Sequence, residues 1–337
     1  MIISRTPFRM SFFGGGTDYP AWFKHNGGGK VLATTIDKYC YITCRYLPPF
    51  FDYRSRVVWS KVEMGPDNAH IEHPVIRAAL KYLKIPHGVE IHHVSDLPAR
   101  AGLGSSSSFA VGSVHALLAL KNEMPDKMRL AREAIKIEQV ILKENVGCQD
   151  QTSAAFGGFN RIDFQANGQI HVDPVTVGAE RLSYLHSHLL LYFTGFSRIA
   201  SQIVKEQLSR IKDTKKELRQ MGEMVDEGVK ILTGNGTLDP FGRLLHESWK
   251  LKRSLSSKIS LPLIDETYEA ARAEGALGGK ILGAGGGGFM LLFAKPQDHP
   301  RIRRRLRKLM RIPFNFENDG SRIILYEPDV PYEKIAP

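Results

Sequence analysis

The chain has 337 residues, 42% of them apolar and 24% charged, the composition of a soluble globular protein long enough for two domains of ordinary size. Lys and Arg number 46 against 35 Asp and Glu, and the net charge of +11 admits nucleic acid or a phosphate-bearing ligand as partner. Three cysteines are too few for a disulfide scaffold, no Cys/His spacing matches zinc, and no apolar run approaches the roughly 18 residues of a membrane span.

The N-terminal part reads as strands separated by glycine turns, MIISRTPFRMSFF, GGKVLATTIDKYCYITCRYL and RVVWSKVEM, because β-branched and alternating residues dominate there. HPVIRAALKYLKI predicts a helix starting near His73, with Pro74 in its first turn. The strand GVEIHHVSDLPA then delivers the chain to LPARAGLGSSSSFAVGSVHALLAL, residues 97 to 120, where two glycines and four serines precede a buried helix. One serine is enough to cap a helix. So many small residues equally fit a loop shaped for an anion, since a helix start offers free N–H donors and the positive end of a dipole. KMRLAREAIKIEQVILKE follows as an amphipathic helix with Leu130, Ala134, Ile137 and Ile141 on its apolar face.

Near residue 175 the pattern starts again. The strands IHVDPVTV and HLLLYFTG precede three helices, 198 to 233, 238 to 254 and 262 to 275, the first weakened by Gly222 and Gly228. A glycine turn leads to the strand FMLLFAK, then to a basic helix, HPRIRRRLRKLMRIPF, and a closing strand, SRIILYEP. The basic helix holds seven Arg or Lys within eleven positions, but Ile302, Leu306, Leu309 and Met310 give it a face to bury, so its charge reads as a solvated face. The expected architecture is α+β in two domains, residues 1 to 175 and 176 to 337, strand-rich and helix-rich respectively, with the site in a cleft between them.

Gly283, Gly285 and Gly288 have the GxGxxG spacing of a dinucleotide turn, yet a strand follows them where that turn requires a helix, and no P-loop signature is present. PFRMSFFGGGTDYP reads as a strand running into a glycine turn, which leaves Arg9 and Asp18 unexplained. Taken together, PFRMSFFGGGTDY, PARAGLGSSSS, GCQDQ and KILGAGGGGF, in that order and across essentially the whole chain, resemble the GHMP small-molecule kinases. The resemblance implies their two-domain fold, with an antiparallel sheet in the helix-rich half, and ATP-dependent phosphorylation of a small hydroxylated metabolite. Within the family it is nearest to the sugar-1-kinases of the heptose 7-phosphate and fucokinase type, because Gly15 and Gly16 replace the Glu-His of galactokinases.

By that resemblance Gly102, Leu103, Gly104, Ser105, Ser106, Ser107 and Ser108 form the phosphate loop, and Mg²⁺ is held by Ser106 and Glu138, with Ser105 or Ser107 open for the serine role. Asp150 is the catalytic aspartate and Arg9 its cationic partner. Gly15, Gly16 and Asp18 face the sugar, beside the turn KHNGGGK. Gly283, Gly285, Gly286 and Gly287 support the nucleotide loop. A substrate phosphate far from the reacting hydroxyl needs a cation, for which Arg198 is favoured over Arg45, Arg54, Arg56, Arg100 and Lys30. His92, His93, His186 and His188 read as ordinary strand residues. The implied activity is the phosphorylation of the anomeric hydroxyl of a heptose 7-phosphate, with a free-sugar kinase as the alternative. The partners expected are ATP, the sugar phosphate and at most a second copy of the chain, without nucleic acid or membrane, and the missing signal-peptide core predicts a cytoplasmic protein.

Overall fold

The structure, a computed structural model, describes residues 1–99, 102–195, 200–328 and 331, without the side chains of 200 and 201. Arg100 and Arg198 lie outside the described residues.

A sheet of nine strands is built on two long ones, Ile2–Phe13 and Gly29–Tyr46, which pair antiparallel. Their register shifts between Pro7 and Phe8, where proline has no N–H to give the ladder. Val89–Ser95 extends the sheet antiparallel and Ser55–Val58 joins it parallel, followed by Val62–Gly65. The helix Ser105–Leu120 lies against this sheet, and Gly112 lets it come close, since a Cβ there would stand 2.8 Å from Thr6 Oγ1. A second sheet, in the order Met310–Arg311, Leu189–Phe193, Phe289–Ala294, Ala276–Ile281, is antiparallel throughout. The helices Asp239–Ser254 and Pro262–Ala273 pack on it.

Four expectations are corrected. The closing strand, Arg322–Tyr326, returns to the first sheet and covers the outer edge of Ile2–Phe13, with Tyr326 opposite Ile2. The long helix breaks at residues 210–214, between Ala200–Ser209 and Lys215–Thr233, and not at its glycines; Gly228 instead admits Phe13, whose ring would stand 2.7 Å from a Cβ. The basic helix ends at Arg305, so Met310 is exposed in an edge strand rather than buried on a helix face. His186 lies in the last turn of the helix Ala179–Ser187 and is not a strand residue. Among the described residues no cluster of three or more His, Cys, Asp or Glu could hold a metal ion, and no helix is long and apolar enough to cross a membrane.

Candidate active site

The run of four serines opens the helix Ser105–Leu120, and two of them have separate tasks. Ser108 Oγ donates to Pro7 O at 3.0 Å, which fastens the helix mouth to the bulge in the first strand. Ser107 Oγ donates to Glu138 Oε2 at 2.9 Å. Ser106 is exposed. Gly104, the residue before the helix, has φ +75°, and Gly102 has φ +87°, a left-handed backbone that side chains rarely adopt.

Arg9 reaches this mouth from the strand below. Its Nε and Nη2 donate to Asp150 Oδ1 and Oδ2, each at 2.8 Å, and its Nη1 donates to Gly102 O at 2.7 Å. This bidentate geometry fixes the plane of the carboxylate as well as its place. Gln149 Nε2 donates to Asp150 Oδ1 at 3.1 Å and is itself held by Ser11 Oγ at 2.6 Å. Among the described residues Oδ2 accepts from Arg9 Nη2 alone, and it faces Gly104, at whose position a Cβ would lie 3.3 Å from it. The Arg9 side chain is 4% exposed and that of Asp150 is 27% exposed, so the carboxylate opens to the cleft while its cation lies behind it.

Asp18 is buried, with both carboxylate oxygens held by main-chain N–H groups. Its Oδ1 accepts from Gly16 N at 3.0 Å and its Oδ2 from Gln149 N at 3.2 Å, so it ties the first motif to the turn that carries Asp150. Burial, and then the charge of Asp150, raise its pKa above the usual carboxylate range. Gly147 is required there, since a Cβ would stand 1.8 Å from Oδ2. Gly15 does leave room: the nearest atom to a Cβ at that position is Ser11 Oγ, 3.9 Å away. The turn after it runs beside Thr17, where Trp22, Gly28, Lys30 and Leu218 line a groove of about 400 Å³.

Glu138 is fully buried. The helix that carries it changes from α over Lys127–Ile135 to π over Lys136–Ile141, and the wider turn brings Glu138 inward while Ile141 becomes 40% exposed. Gln151 Nε2 and Ser107 Oγ both donate to Oε2, but among the described residues Oε1 has no partner, nor has the buried Gln151 Oε1. Burial pushes the Glu138 pKa up to about 7, against the pull of those two donors. Two buried oxygen acceptors lacking donors, one on a carboxylate, are the donor set a hard cation takes.

The third glycine motif touches the loop before the helix Ser105–Leu120 directly. A Cβ on Gly283 would lie 2.5 Å from Gly102 Cα, and one on Gly102 would lie 2.4 Å from Leu282 O. We expect Gly102→Ala to be destabilised by about 1–3 kcal/mol from backbone strain and collision, and to lose affinity for ATP, measured by thermal denaturation and KM. The cations considered for a distal phosphate are largely committed elsewhere: Arg45 and Arg56 pair with Glu90, and Lys30 pairs with Asp226. Arg54 is exposed.

Sequence reasoning missed Ser11, Gln149 and Gln151, the neutral residues that orient the carboxylates, and also Tyr19. Burial and the charges of Asp18 and Asp150 push the Tyr19 phenol upward, so this side chain belongs to the same electrostatic field as the Arg9–Asp150 pair.

Residues 71–158 match the family model for the N-terminal domain of GHMP kinases, and residues 229–312 match that for the C-terminal domain. A D-glycero-alpha-D-manno-heptose 7-phosphate kinase of Campylobacter jejuni is 31% identical over 95% of this chain and 98% of its own length. A bifunctional fucokinase/GDP-fucose pyrophosphorylase of Arabidopsis thaliana is 26% identical over 89% of this chain but 30% of its own. Among solved structures, a D-glycero-D-manno-heptose 1-phosphate kinase from Bacteroides thetaiotaomicron superposes with a TM-score of 0.70 at 26% identity, covering 95% of this chain and 98% of that one.

Proposed function

The chain belongs to the GHMP kinases, and from that premise we propose that it transfers the γ-phosphoryl group of ATP to the anomeric hydroxyl of D-glycero-D-manno-heptose 7-phosphate, giving the 1,7-bisphosphate for nucleotide-activated heptose. The observation that carries the chemistry is Asp150, gripped in the plane of the Arg9 guanidinium, with Oδ2 directed at the helix mouth. The substrate reading is supported by the heptose 7-phosphate kinase that matches over nearly the full length of both chains.

The anomeric oxygen attacks the γ-phosphorus, its proton passes toward Asp150 Oδ2, and the bond from phosphorus to the bridging oxygen of ADP breaks. An anomeric hydroxyl is more acidic than an ordinary alcohol, so a weak base serves. The Arg9 guanidinium and the N–H groups at the start of Ser105–Leu120 neutralise the charge that spreads over the equatorial oxygens. Gly102, Leu103, Gly104 and the serines would cradle the phosphates, with Gly283, Gly285, Gly286 and Gly287 behind them. Glu138, with Ser106 or Ser107, would hold Mg²⁺, which supplies charge neutralisation across the phosphates. Asp18 would orient the sugar through the turn it braces, and Gly15 and Gly16 would leave space beside it.

The test is ATP consumption with Mg²⁺ on D-glycero-D-manno-heptose 7-phosphate, the dephosphorylated heptose, L-fucose and galactose at equal concentrations, with the product's phosphates assigned by ³¹P NMR. We expect turnover only with the 7-phosphate and a new phosphate at carbon one. Equal or better use of a free sugar would retain the kinase and overturn the substrate.

A further inference from the structure

Two lysines are buried behind the site, with no carboxylate of the described residues on either. Lys280, on the strand Ala276–Ile281, donates to Phe12 O at 2.9 Å. Lys252, near the end of the helix Asp239–Ser254, donates to Ile281 O at 2.9 Å and Gly283 O at 2.5 Å. An ammonium costs several kcal/mol to remove from water, and an apolar side chain of similar length would fill the space without that cost. Both acceptors of Lys252 among the described residues are main-chain carbonyls, so it fixes the path of the backbone that receives its bonds.

That backbone leads to the catalytic pair by direct contacts. Lys252 holds Gly283 by its carbonyl; Gly283 packs on Gly102, with no room for a Cβ between them; Gly102 O accepts from Arg9 Nη1 at 2.7 Å; and Arg9 holds both oxygens of Asp150. We propose that Lys252 is a positioning residue for phosphoryl transfer: from the helix packed on the second sheet it sets the glycine loop against the phosphate loop, and thereby the angle at which Arg9 presents Asp150. The inference rests on the reading of Arg9 and Asp150 as the catalytic pair.

The experiment is a double-mutant cycle using Lys252→Met, Arg9→Met and the double variant, with Lys252→Arg as the conservative replacement, assayed on whichever sugar supports turnover. Displacing a reacting group by an ångström can cost about a hundredfold. We therefore expect Lys252→Met to lower kcat about ten- to a hundredfold, with KM for the sugar within about twofold of the parent. Lys252→Arg should recover most of the rate. In the Arg9→Met background the second substitution should cost nothing further. If Lys252→Met does not fold, Lys252→Gln, which can still donate to one carbonyl, takes its place in the cycle. A parental kcat, or losses that multiply in the double variant, would overturn the proposal. An Arg9→Met variant with full activity would instead remove the catalytic reading beneath it.

Discussion

Replacing Asp150 by asparagine is expected to lower kcat by about 10² to 10⁴ while the affinities for ATP and sugar stay within a fewfold, because positioned proton transfer contributes on that scale. The geometry decides how the amide sits. Among the described residues Arg9 Nε and Gln149 Nε2 both donate to Oδ1, whereas Oδ2 receives only Arg9 Nη2. An asparagine therefore keeps its oxygen at the Oδ1 position, where two donors converge, and places its NH₂ where Oδ2 stood. That is the atom facing Gly104 and the cleft. The substitution keeps two of the three hydrogen bonds to the side chain, sets its NH₂ against the Arg9 Nη2 donor, and removes the proposed proton acceptor from the oxygen that faces Gly104. Steady-state kinetics with calorimetric binding of ATP and sugar separates the two effects. Full activity would remove Asp150 from the mechanism, and a loss confined to binding would make it a substrate ligand.

The pairing of Arg9 with Asp150 was legible only through the resemblance of their two motifs to the GHMP kinases, and the four serines left a helix cap and an anion loop equally open until that resemblance decided between them. Which serine meets Glu138 was not legible, since a run of identical residues carries no phase. The burial of Glu138 was hidden for a related reason. A period of 3.6 residues places Ile141 inside and Glu138 at the edge of the apolar face, and the π turn over Lys136–Ile141 reverses that order. Lys252 falls on the apolar stripe of its helix, after Leu245 and Trp249 at helical spacing, but periodicity does not say what its amine meets; only the second sheet shows that Nζ ends on the carbonyls of Ile281 and Gly283. The return of Arg322–Tyr326 to the first sheet is likewise a long-range pairing for which the strand's own residues give no partner.

Glu138→Gln tests the buried carboxylate in two independent ways. In the folded protein its pKa is raised from 4.5 to about 7, chiefly by burial. Between those values the folded state holds a proton that the unfolded chain has released, so the stability linked to this group is complete below the lower value and is lost as pH rises through about 7. The difference of roughly 2.5 units corresponds to about 3 kcal/mol once the group is fully ionised. Without metal, the parent should therefore lose stability from pH 5 to pH 8 more steeply than the variant, by up to this amount, in denaturation measured at each pH. A cation at Oε1 relieves the same burden, so Mg²⁺ with ATP should raise the melting temperature of the parent more at pH 8 than at pH 5, and that of the glutamine variant much less. With the charge gone, a loss of about 3 kcal/mol in transition-state stabilisation would lower kcat about a hundredfold. Equal pH slopes in parent and variant would show that Glu138 is not the group that titrates. Equal stabilisation by Mg²⁺ and ATP would move the cation to other ligands, even if the rate had fallen.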